Sequence, residues 1–430
     1  MFRSALSRLA LALLSALPLL TLVVTHRLVA GPDMATSAAF YAGLRPIFRP
    51  IPWQETPAGL VDLRASSCGR CHEEIYREWK ISTHARAWLD DPQFQAELRK
   101  HRGLSADHPG DTGWLCVNCH TPLVNQLPQV VYELEDGRLD RPRYVDNPRH
   151  DPELQLEAIT CATCHVRDGV ILGPYGLDTA PHPSRKAPEL LDSSSCTGCH
   201  NANAHLPEVA LACLFNTGSE FSESPKRGAD ERCQSCHMPE LRRSLTNLGT
   251  PVRRTRRHWF GGSLLAKRLE FAPQMAALER HFKDGVELTW GERPELRVGQ
   301  LASLPLTIHN KHAGHHVPTG DPERFVVITA LARDAEGAVV GRLEHRIGSV
   351  YEWSPVRKVS DNRLARGEQR TLALELAPQR PGPITVELVA RKFRIGREAY
   401  EFHHLEGRMV PSRVFHRSRL ELTARAGESR

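Results

Sequence analysis

Five copies of Cys-x-x-Cys-His constrain this chain more than any other feature. They are Cys68, Cys71 and His72; Cys116, Cys119 and His120; Cys161, Cys164 and His165; Cys196, Cys199 and His200; and Cys233, Cys236 and His237. This pattern is the attachment signal for c-type haem. Two thiols at that spacing can bond the two vinyl groups of one porphyrin, and the histidine that follows then lies under the iron. A zinc reading must pool two Cys-x-x-Cys halves per metal, which five halves do not allow, and it gives no role to the histidine. A disulfide scaffold does not require that histidine either. The motifs therefore predict five covalently bound haem c groups, with His72, His120, His165, His200 and His237 as proximal iron ligands.

The set runs over 170 residues, from Cys68 to His237. So short a segment cannot enclose five porphyrins and also build a large side-chain core. The porphyrins themselves are expected to be the apolar interior, wrapped by short helices and loops. Ten of the eleven cysteines belong to the motifs. The eleventh, Cys213, reads as a small buried apolar residue.

The net charge is +6, with 56 basic residues of which 9 are lysine. This balance does not imply a nucleic-acid partner. Each haem brings two propionates, and arginine pairs with carboxylates through a planar fork.

Arg3 and Arg8 precede an apolar run over 9–24, interrupted by Pro18. Sixteen residues suit the core of a signal peptide better than a membrane span, and Leu28-Val29-Ala30 offers a cleavage site. An uncleaved anchor, with membrane association through the N-terminus, is the alternative. Both place the remaining chain outside the cytoplasm: in the periplasm or otherwise exported, or tethered to the inner membrane.

The expected organisation is a signal peptide or anchor over 1–30, a proline-rich linker over 31–60, a pentahaem domain over 61–262, a connecting helix over 263–284 and a β-sandwich over 285–430. Within the haem domain, 73–82 reads as a helix and 130–145 as a hairpin turning tightly at Asp136 and Gly137. The connecting helix is expected to be bent or interrupted at Pro273. Beyond 285 there are no cysteines, and short strand-like runs alternate with turns, as at Leu372, Leu374 and Leu376. The fold class is thus α+β: a mainly helical and looped multihaem cytochrome domain followed by an antiparallel β-sandwich.

Seventeen histidines lie outside the motifs, against five methionines in the whole chain. Methionine ligation raises haem potentials, so its scarcity predicts mostly bis-histidine haems of low potential. The distal candidates are His84, His182, His258, His205, His315 and His316. His84 lies twelve residues past His72, too far along a helix to return to the same iron, and is expected to serve a neighbouring one. The run from His309 to Gly320 carries His309, His312, His315 and His316. It reads either as a loop delivering His315 or His316 to a haem across the domain interface, as a separate zinc or copper site, or as a structural turn.

The five motifs, the stretch Tyr76, Trp79, Ser82, His84 and Ala85, and Cys236-His237-Met238-Pro239 together resemble the multihaem cytochromes related to cytochrome c-554 and the haem core of hydroxylamine oxidoreductase. The likeness covers about residues 61–262. It implies a distal role for His84. The stretch from Ala313 to Gly320 resembles a motif in the β-sandwich that some multihaem members carry. The carrier cytochrome of the group has four haems, and the large catalytic members have a haem cross-linked to a tyrosine for which no motif appears here. No substrate is therefore implied.

The expectation is electron transfer between redox donor and acceptor proteins, with no nucleic acid involved and catalysis not required. An enzyme with one open haem acting on a small nitrogen or sulfur oxyanion, or a hydroxylamine-like substrate, is the alternative. A membrane-anchored quinol-oxidising cytochrome is a second.

Overall fold

The structure is a computed structural model that describes residues 32–103, 110–176, 179–206, 211–225, 228, 230–353 and 356–427. The N-terminal leader or anchor lies outside these residues. Among the described residues no helix is long and apolar enough to cross a membrane.

The motifs sit on short helices: Ala65–Gly69, Gly113–His120, Cys161–His165, Ser194–His200 and Cys233–His237. None exceeds eight residues, which fits helices held by what they pack against rather than by propensity. The expected helix after the first motif forms over Glu73–Lys80, with Glu73 and Glu74 in its first turn and Arg77 and Lys80 in its last, complementing the helix dipole. Trp79 is buried on it and donates its indole N–H to the Ile159 carbonyl at 2.8 Å.

Three local expectations need correction. Residues 31–60 are not simply an extended linker. Met34–Ala42 is a helix capped by Asp33, and its Tyr41 and Ser37 pack on the strand Gln129–Leu134, where the Ser37 hydroxyl donates to Val131 O at 2.7 Å. The hairpin pairs Gln129–Leu134 with Pro142–Asp146, but through a longer connection containing the turn Glu135–Gly137 rather than a tight two-residue turn. No single connecting helix spans 263–284: the segment is interrupted at Pro273, which lies in the first turn of the helix Ala272–Leu278. Proline is well tolerated in a first helical turn because its missing N–H would be unpaired there anyway.

The C-terminal half forms two packed sheets. One holds Val286–Trp290, Ala302–Asn310 and Gln369–Leu376, all antiparallel. The other runs in the order Leu296–Arg297, Ser412–Arg425, Gly382–Phe393, Phe325–Asp334, Val339–Trp353 and Val356–Asp361, antiparallel except at its first, two-residue strand. Alternate residues face inward, as a half-buried strand requires. Leu304, Leu306 and Ile308 from one sheet and Ile328, Ile347 and Ile384 from the other are fully buried in a single core. The expected α+β architecture with a β-sandwich is thus present. By contrast, the side-chain clusters of the motif region are several and small.

Buried ion pairs join the two parts. Asp91 caps the helix Pro92–His101 and accepts two hydrogen bonds from Arg394 of the sandwich, both at 2.7 Å, with Lys267 on its other side. Glu231 pairs with Arg366 at 2.8 Å. Glu220 binds Arg363 at 2.5 Å and accepts from the Thr319 hydroxyl at 2.6 Å.

Candidate functional site

A continuous cavity of about 2290 Å³ runs between the helices and the sandwich. Cysteines and the histidine of all five motifs line it, together with His84, His182, His258, His315 and His316. Cys213 also lies on its wall.

Four of the motif histidines are aimed by their Nδ1 atoms. His72 donates from Nδ1 to Leu245 O at 2.9 Å, His120 to Ala87 O at 2.6 Å and His165 to Leu172 O at 2.8 Å, and His237 donates to Gly261 O. A carbonyl partner requires the proton on Nδ1, which leaves the Nε2 lone pair free as a ligand. A Cβ on Gly261 would press on the Phe282 ring, which would have to shift to admit it.

Candidate distal histidines face three of these rings. His84 lies 6.2 Å from His200, His258 lies 6.3 Å from His165, and His315 lies 6.2 Å from His237, ring centre to ring centre. His258 and His315 also donate from Nδ1 to backbone carbonyls, at 3.0 and 2.8 Å. Burial is the main cause that lowers the pKa of these groups: His84 and His258 fall to about 3, His120 and His200 to about 4, and His165 and His315 shift the same way. The imidazoles are therefore neutral at physiological pH, the form that binds a metal.

His182 shares the electrostatic neighbourhood of His72 and has its Nδ1 3.1 Å from the Ser184 hydroxyl, which leaves its Nε2 for the cavity. His316 faces no motif ring and instead lies 3.5 Å from Glu220. The side chain of His205 lies outside the described residues. The ring that stacks on His120 is that of Phe94, at 3.5 Å and 4°. Among the described residues no group of three or more His, Cys, Asp or Glu is arranged to hold a bare metal ion, so the separate zinc or copper reading of the 309–320 run gains no support.

The motif thiols touch across the sequence: Cys68 lies against Cys161, Cys119 against Cys199, and Cys196 against Cys233. Sequence reasoning missed Glu78 and Glu220. Glu78 is 4 % exposed; it accepts from the His258 backbone N–H at 2.8 Å and from Arg243 at 2.6 Å, and also binds Arg257. Nothing local in the sequence marks either glutamate, because their partners lie more than ninety residues away.

Comparison with known proteins gives one family match and one shared fold. Residues 67–140 match the family model described as cytochrome c554 and c-prime. The penta-heme cytochrome c552 from Thermochromatium tepidum superposes with a TM-score of 0.58 at 19 % identity, covering 85 % of this chain and 100 % of that one, and so shares its fold. The CARDB domain of a Pyrococcus furiosus protein (10 % identity, 32 % of this chain and 86 % of that one) and E. coli alpha-2-macroglobulin (14 %, 34 % and 7 %) each overlap with a TM-score of 0.18. Overlaps so slight define no shared fold. The chain thus resembles the cytochrome c-554 group in its motif region and carries a β-sandwich after it. Covalently bound haem c is the cofactor class that this resemblance and the motifs imply.

Proposed function

We propose that the chain is an exported pentahaem electron-transfer cytochrome. In this reading Cys68 with Cys71, Cys116 with Cys119, Cys161 with Cys164, Cys196 with Cys199 and Cys233 with Cys236 each hold one porphyrin. His72, His120, His165, His200 and His237 are the proximal ligands. His200 with His84, His165 with His258, and His237 with His315 each close one iron, and His182 is assigned opposite His72.

The carrying observation is the spacing of the three facing pairs. Metal–imidazole bonds of about 2.0–2.1 Å on each side, with roughly 1.1 Å from nitrogen to ring centre, separate two axial rings by about 6.2–6.4 Å. The observed 6.2, 6.3 and 6.2 Å fall in that range. His84 thus pairs with the fourth motif rather than its own, as its distance along the chain from His72 requires.

Bound haem supplies a one-electron couple. The chain's residues keep each site rigid: backbone carbonyls fix the imidazoles, and two thiols per motif fix the ring edge. Contacts between thiols of the first and third, second and fourth, and fourth and fifth motifs support close spacing of the attached groups, with the fourth touching both the second and the fifth. Redox donor and acceptor proteins are the implied partners.

A second reading has one specific support. The ring stacked on His120 is the phenyl of Phe94 and not an imidazole, and the nearby cations Lys267 and Arg394 are held by Asp91. An open haem at the second motif would then leave a position for a small ligand.

Electron paramagnetic resonance of the air-oxidised holoprotein, with haem content measured by pyridine haemochrome, separates the two. Five haems, all low-spin, are expected for the carrier. A high-spin signal near one iron equivalent, altered by nitrite or hydroxylamine, would replace it with the enzyme reading. Fewer than five haems would overturn both.

A further inference from the structure

Residues 258–261 reach three of the assigned irons. The His258 ring faces His165 at 6.3 Å, and the Gly261 carbonyl accepts the Nδ1–H of His237. Between them, the Phe260 ring lies 4.3 Å from the His84 ring with the planes 45° apart, and 5.7 Å from the His258 ring, edge-on at 90°. His84 in turn faces His200 at 6.2 Å. One phenyl ring thus touches the distal imidazoles assigned to the third and the fourth motifs.

The backbone singles out the same residue. Phe260 has a φ of 49°, in the left-handed region where a side chain is crowded and glycine is the usual occupant. Gly261 and Gly262 follow it, and neither takes that conformation. A phenylalanine stays there when its surroundings over-determine it. On one side, the His258 N–H is held by Glu78 and its Nδ1 by Arg256 O. On the other, the Gly261 carbonyl is held by His237. The ring itself packs against the cluster of Ala65, Trp79 and Ala85.

The imidazole planes divide along this contact. Among the described residues the His84 ring has no hydrogen bond; its ring contacts are His200 and Phe260. The planes of His84 and His200 stand 42° apart, and those of His258 and His165 stand 39° apart. His237 and His315, a pair with no ring contact to Phe260 among the described residues, lie 11° apart.

We propose that Phe260 is a positioning residue for two irons at once: its ring holds the imidazole planes of the third and fourth haems twisted, while the fifth pair, outside its reach, stays near parallel. The inference rests on the ligand pairs assigned under the carrier reading. The ring wedges against His84, which has no carbonyl to orient it, and meets His258 edge-on. The orientation of axial imidazoles tunes the iron they bind. Twisted planes bring the ferric iron orbitals closer in energy and give a large maximal g value; parallel planes split them and give a rhombic spectrum. The third and fourth haems therefore share one support and one electronic character.

The test is electron paramagnetic resonance of the air-oxidised holoprotein, with haem content measured by pyridine haemochrome. In the unaltered protein, the two signals lost in His84→Ala and His258→Ala should have larger maximal g values than the one lost in His315→Ala. Phe260→Leu keeps an apolar side chain but no flat ring. It should leave five low-spin haems and move those two signals together toward the rhombic shape of the fifth. Phe260→Tyr, which keeps the ring, should restore the parent spectrum. Three signals of the same shape in the unaltered protein, or a Phe260→Leu spectrum that is unchanged or altered in all five signals, would overturn the proposal and leave the carrier reading intact. Low-spin signals that survive both His84→Ala and His258→Ala would overturn the ligand pairs as well.

Discussion

His315, carried by the β-sandwich, lies 6.2 Å from His237 of the fifth motif, with the two ring planes 11° apart. The loop that brings it there is fixed at both ends. Asn310 donates its side-chain N–H to the His315 carbonyl at 2.9 Å, and Thr319 is held by Thr217 and Glu220. On the proposed assignment, a ligand from one half of the chain closes an iron held by the other.

His315→Ala should therefore leave five haems attached and convert one low-spin signal to high-spin. His315→Met should keep that iron low-spin and raise its potential, since methionine stabilises the ferrous state. His316→Ala should change neither, because His316 faces Glu220 rather than a motif ring. Electron paramagnetic resonance and potentiometry of the three variants check this. A high-spin iron in His316→Ala instead of His315→Ala would exchange the two assignments.

Glu220 is 6 % exposed and pairs with Arg363 across the interface. Glu220→Gln keeps the Thr319 hydrogen bond but leaves Arg363 with Asp361 alone. Loss of one partner from a buried ion pair costs about 3–5 kcal/mol, and the Asp361 partner should reduce this. The expected result is a lower thermal midpoint with the low-spin signal of the fifth haem preserved. Glu220→Ala, which also removes one of the two contacts that hold Thr319, should broaden that signal.

The motifs, the role of 73–82 as a helix and the sandwich strands were legible because each is a local pattern. His84 could be set apart from its own haem by chain distance alone. Its partner His200 could not be read, because the pairing joins residues more than a hundred apart. The helix Met34–Ala42 was hidden by surrounding prolines, although Asp33 followed by the alanine-rich run is an N-cap signal that was available. Pro273 marked an interruption of the segment, and its place in the first turn of Ala272–Leu278 fits that signal.

Asp91 is 1 % exposed and holds both Lys267 and Arg394. Its position inside the interface makes burial the largest influence on it, yet the two cations outweigh burial and hold its pKa far below the usual carboxylate range. The sign follows directly: a depressed folded pKa contributes stability that is present above the unfolded value of 3.8 and lost as pH falls through the folded one. The stability of the unaltered protein should thus fall below about pH 4 more steeply than that of Asp91→Asn. At neutral pH the same substitution should destabilise by about 3–5 kcal/mol, because it strands two buried cations. Thermal melts of both proteins from pH 3 to 7 measure the two effects, and parallel curves would remove Asp91 from the account.

Glu78 ties the helix Glu73–Lys80 to the distal side assigned to the third haem. It accepts the His258 N–H and sits against Arg243, which is 7 % exposed and also donates to the Arg256 carbonyl at 3.0 Å. Glu78→Gln keeps the shape and removes one negative charge near that iron. A ferrous haem carries one positive charge fewer than a ferric one, so removal of a nearby anion favours reduction, and the potential should rise. The uncompensated Arg243 acts in the same direction. Potentiometry should find one couple shifted upward with all five haems retained, while Arg243→Leu, which removes the cation instead, should shift it downward. If both variants move the couple the same way, Glu78 acts through the placement of His258 and not through its charge. The low-spin signal assigned to His165 and His258 should then change shape in both.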